Sequence, residues 1–209
     1  RISMLSLCLI ACDEAQFLKG CLQSVKGLVD QIVVVDTGSV DLTIEVARRH
    51  GAKVLSQRWE NDFSAARNKA IEAATGRWIL VLDCDEVLAR RDHEQIRALL
   101  RRGKIDAYRL TTRNYTNLTN QAGWTVNDGG YSESKDYAGW FPTTKVRLWR
   151  NQPGIHFVGA VHELVEDSIL AEGGNIADCM VPVHHYGHVE KERGQDHYLE
   201  AGEQKVRKN

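Results

Sequence analysis

Residues 79–88 read ILVLDCDEVL. Four apolar residues run directly into Asp83, Cys84, Asp85 and Glu86, so three carboxylates fall within four positions. An unbroken Ile/Leu/Val run suits a strand covered on both faces, as in a parallel sheet flanked by helices. Such sheets bind ligands beyond the carboxyl ends of their strands, where these acids lie. Continued as a strand, the chain sends Asp83 and Asp85 to one face and Cys84 and Glu86 to the other. Neighbouring carboxylates with little solvent repel each other, which raises a pKa or draws in a cation. Hard Mg²⁺ or Mn²⁺ accepts carboxylates and phosphates together. Asp also caps helices and turns, so Asp-x-Asp alone does not define a site.

Upstream, one grammar repeats three times. Leu5–Ile10 is apolar, then Leu18, Cys21, Leu22, Val25 and Leu28 recur at helical spacing before the chain reaches QIVVV at 31–35. Asp41 can cap a helix that Gly51 ends, and AKVL at 52–55 reads as the third strand. Ser64 can cap AARNKAIEAAT, which stops at Gly76 ahead of RWILVL. Strand, helix, Gly, strand is the pattern of right-handed βαβ crossovers. The expected fold is α/β, a mostly parallel, Rossmann-like sheet flanked by helices. A helix over 92–103 follows. Beyond it, IDAYRLTTRNYTNL, TKVRLWRN, IHFVGAVHELV and IADCMVPVHHYGHV read as strands of a mixed second half. Residues 117–141, with no clear period, read as a functional loop, and 190–209 as a charged helix.

Composition narrows the class. A formal net charge of −1 gives no electrostatic case for nucleic acid or an anionic membrane. No apolar stretch approaches the roughly 18 residues of a spanning helix. The five cysteines, at 8, 12, 21, 84 and 179, are odd in number and form no CxxC pair, which fits a reducing compartment. The sequons at Asn114 and Asn117 matter only in a secretory lumen and read as chance occurrences.

Two further residues share the expected rim. Capped at Ser64, the third helix carries Arg67 in its first turn, where the macrodipole disfavours a cation by about 0.3–1 kcal/mol. A guanidinium kept there can donate to a base carbonyl or a phosphate, or pair with Asp62. Asp36 ends the second strand before Thr-Gly-Ser. It can accept from a base imide or a ribose hydroxyl, or simply form a turn.

The blocks SLCLIACDEAQFLKGCLQSV, DQIVVVDTGSVDLTIEVARRHGAKV, WENDFSAARNKAIEAATGRWILVLDCDE, VGAVHE and HHYGH together resemble family 2 glycosyltransferases of the GT-A type. The subgroup most similar is the one whose catalytic domain often occurs beside tetratricopeptide repeats. The resemblance is strong over 3–90 and looser from 143 to 190. It implies one domain over 1–209, with a nucleotide-binding half (1–103), an acceptor and metal half (104–189) and a C-terminal helix (190–209). It implies that Asp36 and Arg67 hold the base of a nucleotide sugar, typically uracil. Asp83 would reach the ribose or the metal, and Asp85 would ligate Mn²⁺ or Mg²⁺ bridging the diphosphate. Asp13-Glu14 stands where Asn-Glu is usual near the nucleotide, and Ser39-Val40-Asp41 where Ser-Thr-Asp is usual.

In GAVHELV, a neutral His162 can complete a metal site begun by the carboxylates, or sit as a satisfied core histidine. His185 or His188 is a candidate contact to the diphosphate; zinc-finger spacing is absent. Transfer with inversion, which the resemblance favours, needs a base from the second half. Glu163 is the first candidate, with Glu133 and Asp136 behind it. Trp124, Trp140 and Trp149 can stack on a sugar or fill the core. The expected activity is metal-dependent transfer from a UDP-sugar to a saccharide, lipid-linked or protein acceptor. It is expected in the cytoplasm, free or at the inner face of a membrane. The rival readings are a nucleotidyltransferase, which ACDEAQF argues against because it is acidic and lacks Gly, and a non-catalytic nucleotide-binding domain.

Overall fold

The computed structural model describes residues 4–187; His188 and the helix expected over 190–209 lie outside them. The first half follows the repeated grammar. Strands β1 (Leu5–Ala11), β2 (Gln31–Asp36), β3 (Lys53–Ser56) and β4 (Trp78–Val81) alternate with helices α1 (Ala15–Ser24), α2 (Thr43–Arg49) and α3 (Phe63–Glu72). All four strands are parallel, in the order β3-β2-β1-β4. The apolar runs of β1, β2 and β4 are largely buried on both faces, as a sheet between two helical layers requires, while β3 at the edge is only partly covered. Leu5, Leu7, Leu9 and Ala11 pack in one core with Leu18 and Leu22 of α1 and Ala47 of α2. Cys8, Val33 and Val35 pack in the other with Ala66 and Ala70 of α3.

After β4 come β5 (Glu86–Leu88), α4 (His93–Leu100), β6 (Ala107–Thr116), β7 (Thr125–Val126), β8 (Gly139–Arg150), α5 (Glu166–Ala171) and β9 (Ile176–His185). The strands form one nine-stranded mixed sheet, β8 joining β4 antiparallel and β6, β9 and β5 following; β7 pairs with β8. Ile96, Leu99 and Leu100 of α4 join the α1 layer, and Val165 and Ile169 the α3 layer.

Three expectations need correction. Asp83–Glu86 is not a continued strand. The Glu86 amide donates to the Asp83 carbonyl at 3.1 Å, closing a turn before β5 pairs antiparallel with β9. The segment IHFVGAVHELV is not a strand either. It turns at Gly159, whose φ of 101° favours glycine, and its β-pairing is limited to an isolated bridge between Val158 and Leu164. The cap of α3 is Asp62, which accepts from the Ala65 amide at 3.1 Å, while the Ser64 hydroxyl donates to the Gly159 carbonyl. Arg67 is therefore the fifth helical residue, beyond the first turn where the dipole acts.

The turn explains the third carboxylate of the opening stretch. Glu86 is buried and accepts both ends of the buried Arg147 guanidinium from β8. Its Oε2 also accepts from the Asp83 amide at 2.7 Å, and Arg147 Nη2 donates to Thr112 at 2.9 Å. Removing one partner of such a pair leaves a buried charge unpaired, at about 3–5 kcal/mol. Arg147→Leu is expected to lose stability of that order in urea unfolding, and Arg147→Leu combined with Glu86→Leu to recover much of it. A single variant as stable as the parent would show that the pair is solvated.

Candidate functional site

A cavity of about 700 Å³ opens beyond the carboxyl ends of β1, β2 and β4. Its wall includes Asp13, Glu14, Thr37, Gly38, Arg67, Asp83, Asp85 and His185, with Trp59 and Phe63 as an apolar edge. The two loops that follow β1 and β2 are sewn together. Asp13 takes a positive φ of 53°, a region Asp tolerates, and its Oδ1 accepts from the Val40 and Asp41 amides at 2.8 and 3.2 Å. Its own amide donates to Ser39 Oγ at 2.9 Å, and the Glu14 amide to Thr43 Oγ1 at 2.8 Å. Asp13 thus shapes the rim, while Glu14 lines it.

Asp36 is buried at the end of β2, directly before the Thr37-Gly38 lining. Its Oδ2 accepts from the Gly38 and Ser39 amides at 3.0 and 3.1 Å; its Oδ1 is buried without a partner among the described residues. Arg67 is likewise buried. Its Nε donates to Glu163 Oε1 at 2.7 Å and its Nη2 to Asp83 Oδ1 at 2.8 Å, whereas Nη1 has no partner among those residues. Burial works against the Arg67 cation, but Asp83 and Glu163 hold its pKa above the ordinary value. Burial would likewise raise the Asp83 carboxyl; the charges of Arg67, Lys145 and Arg147 outweigh it and keep it well below the usual range. Lys145 Nζ lies 3.7 Å from Asp83 Oδ2.

Asp83 and Asp85 therefore face separate partners. Asp85 Oδ2 meets His185 Nε2 at 3.2 Å. Burial lowers the His185 pKa, but the bond to Asp85 and the surrounding acids outweigh it, and the net shift is upward. Both aspartates still line the one cavity, so the separate pairs leave room for a ligand between them. Among the described residues no three His, Cys, Asp or Glu side chains converge as a metal centre. Asp85 and His185 supply one oxygen and one nitrogen donor. A Mg²⁺- or Mn²⁺-type ion completed by substrate phosphates needs few protein ligands, so the pair fits it.

The second-half candidates distribute differently. His162 is exposed in the loop that turns at Gly159 and is not among the cavity's lining residues. Glu163, adjacent in sequence, reaches Arg67 instead of the cavity. Trp149 is fully buried in the core, whereas Trp140 lies under the Arg113 guanidinium, 4.6 Å from its centroid. Glu133 and Asp136 sit in the 117–138 segment, which Tyr186 pins by donating from its hydroxyl to the Glu133 carbonyl at 3.1 Å. Sequence reasoning missed Trp59, Phe63 and Lys145. Only the aromatic pair in WENDF carried a signal, two large apolar residues flanking a cap.

Solved structures of similar architecture identify the class. Glucosyl-3-phosphoglycerate synthase from Mycobacterium tuberculosis superimposes over 88% of this chain and 72% of its own, with a TM-score of 0.60 at 16% identity. S. aureus TarS residues 1–349, solved in complex with UDP, covers 88% and 60% with a TM-score of 0.55 at 14% identity. The fold is that of the GT-A glycosyltransferases. The glycosyl transferase family 2 model matches residues 6–161, and the chain belongs to that family. A tetratricopeptide-repeat-containing protein of Synechococcus elongatus is 42% identical over 171 residues, 81% of this chain and 37% of that protein. The glycosyltransferase SunS of Bacillus subtilis is 35% identical over 95 residues, 44% of this chain and 22% of SunS. The chain thus spans between about a fifth and two fifths of the length of these curated relatives.

Beside the site, His184 is buried, and its Nδ1 lies 2.6 Å from the Tyr115 hydroxyl. Burial pushes its pKa from the ordinary 6.5 down to about 4. Between those values the unfolded chain takes up a proton that the folded protein excludes. Its contribution to stability is therefore complete above pH 6.5 and declines as the pH falls toward 4. Urea titrations across that range are expected to give a shallower acid loss for His184→Phe than for the parent. Parallel slopes would show that His184 is protonated in the fold.

Proposed function

We propose that the domain transfers a sugar from a UDP-sugar, with a divalent cation, to a saccharide, lipid-linked or protein acceptor, with inversion at the anomeric carbon. The observation that carries this reading is a pair of buried atoms beside the cavity that have no partner among the described residues, the acceptor Asp36 Oδ1 and the donor Arg67 Nη1. Uracil presents an imide N–H between two carbonyls and offers each of them its complement. A buried polar group left unsatisfied costs about 1–3 kcal/mol, which a bound base would relieve. The Asp36 carboxylate is already oriented by two backbone amides, so little ordering remains when a base arrives.

The cation is supported by charge. Asp13, Glu14, Asp83 and Asp85 line the cavity against Arg67 and His185, a balance unsuited to a diphosphate anion by itself. Asp85 and His185 would hold the ion, with Asp83 turned toward the donor's ribose side. Such an ion supplies positive charge to the leaving diphosphate as the glycosidic bond breaks. Solved structures of related fold were obtained with UDP and Mg²⁺ or Mn²⁺, which is support by analogy of fold. Glu163, fixed by the Arg67 Nε, is read as orienting that guanidinium; this leaves Glu133 and Asp136 on the acceptor side as the carboxylates to test for the base. We place the reaction in the cytoplasm. Among the described residues Cys8, Cys21, Cys84 and Cys179 form no disulfide, and no described helix is long and apolar enough to cross a membrane.

Isothermal calorimetry tests the reading. UDP is expected to bind more tightly with Mn²⁺ than without, and Asp85→Ala to abolish that difference; equal affinities in the parent would remove the cation. Asp36→Asn turns an amide donor toward the imide. It is expected to weaken UDP about tenfold or more and to narrow its margin over CDP, each tenfold being about 1.4 kcal/mol. An unchanged UDP-to-CDP ratio would take the base away from Asp36.

A further inference from the structure

Asn114, on β6, has no place in the reading above. Its residue is 4% exposed, which closes the sequon to modification. Its side chain is fixed from three directions. The amide nitrogen donates to the Phe141 carbonyl at 3.1 Å and to Thr143 Oγ1 at 3.0 Å. With both amide protons directed at oxygen acceptors on β8, Oδ1 is the atom that faces His185, 2.7 Å from its Nδ1. An amide oxygen only accepts, so a contact that short requires a proton on Nδ1. The ring's other nitrogen, Nε2, faces Asp85 Oδ2 at 3.2 Å on the cavity wall. Backbone closeness holds the ring there as well. A Cβ added at Gly187 would sit 2.1 Å from Asp85 Oδ2 and 2.7 Å from His185 Nε2.

We infer that Asn114 is a positioning residue that keeps the proton of His185 on Nδ1, so that Nε2 is the nitrogen offering a lone pair beside Asp85. This rests on the reading that Asp85 and His185 hold the divalent cation. An imidazole binds a metal through an unprotonated nitrogen, and the hydrogen bond at the other nitrogen decides which one is available. Without Asn114 the single proton of a neutral ring is drawn to the Asp85 carboxylate, the acceptor that the described residues place at Nε2. The proton would move to Nε2 and block the ligand position. The strand pairing that brings Asn114 opposite His185 in β9 therefore sets which face of the ring is reactive.

Two readouts test this. In ¹⁵N-histidine NMR with Mg²⁺ and UDP bound, His185 of the parent is expected to be protonated at Nδ1. Asn114→Leu should move that proton or average it, and Asn114→Asp, which retains an acceptor, should restore it. Manganese binding followed by electron paramagnetic resonance, without any sugar donor, is expected to weaken about 10- to 100-fold in Asn114→Leu and less in Asn114→Asp. A parent ring protonated only at Nε2 overturns the inference, with no variant needed. So does an Asn114→Leu protein whose His185 spectrum and Mn²⁺ affinity match the parent's. If the parent binds no Mn²⁺, the cation reading fails. The alkaline, metal-free spectrum of the parent then decides the role of Asn114 alone, Nδ1–H supporting it and Nε2–H refuting it.

Discussion

Glu86 and Arg147 meet inside the sheet, both nearly free of solvent, with two hydrogen bonds between them. Their pairing lets a chain that has just left a buried strand turn within four residues while carrying three acids. Glu86 is neutralised by the guanidinium and spends its Oε2 also on the Asp83 amide, which fixes the first residue of the turn. The turn then presents Asp83 and Asp85 to the cavity and leads directly into β5, paired with β9. Arg147 comes from β8, the strand that joins the two halves of the sheet. One buried ion pair therefore couples the parallel half to the mixed half at the point where the acids emerge. Such a pair is a weak source of net stability, because the desolvation of both charges offsets their attraction, but loss of either partner leaves the other charge buried and unmatched.

A second buried cation organises the opposite wall. Arg67 joins Glu163, from the loop after β8, to Asp83, from the loop after β4. Two of its three nitrogens, Nε and Nη2, donate, and Nη1 has no partner among the described residues. Because the guanidinium is planar and its fork rigid, fixing two directions fixes the remaining one. Glu163 influences the cavity in this way without lining it. The ends of that loop are anchored in the core by Ile155, Phe157 and Val165, while Val158, Val161 and Leu164 at its tip are exposed. The tip is held by the Phe63 amide bond to Ala160, the Ser64 bond to Gly159 and the Arg67 pair.

That loop is also where sequence reading reached its limit. IHFVGAVHELV alternates as a strand should, and only Gly159 hints otherwise; a positive φ in its middle is invisible to periodicity. With the strand lost, His162 has no reason to face the acids. The parallel half was legible because its information is local, in Val/Ile/Leu runs each followed by a glycine-terminated helix. The Asp62 cap was missed because Ser64, two residues on, is equally good chemistry. The turn at Asp83–Glu86 was not legible at all. Its cause, Arg147, is 61 residues away, and an exposed Arg in a strand pattern looks the same as a buried one.

The two sides of the cavity are accordingly built by different means. At the mouth of β1 and β2, Asp36 and Asp13 are fixed by amides two or three residues on and by the neighbouring loop. That geometry follows from short motifs and survives changes elsewhere. At the other end, Asp85, His185 and Asn114 come from the β4–β5 turn, β9 and β6, and each side chain is aimed by another side chain. Its accuracy depends on strand register over the whole mixed half, including the shift in pairing between Leu110 and Thr112 that brings Asn114 opposite His185. A one-residue slip there would reverse the face of every side chain beyond it. The Asp85–His185 end of the cavity therefore depends most on long-range packing, and is the part a local reading of sequence resolves least.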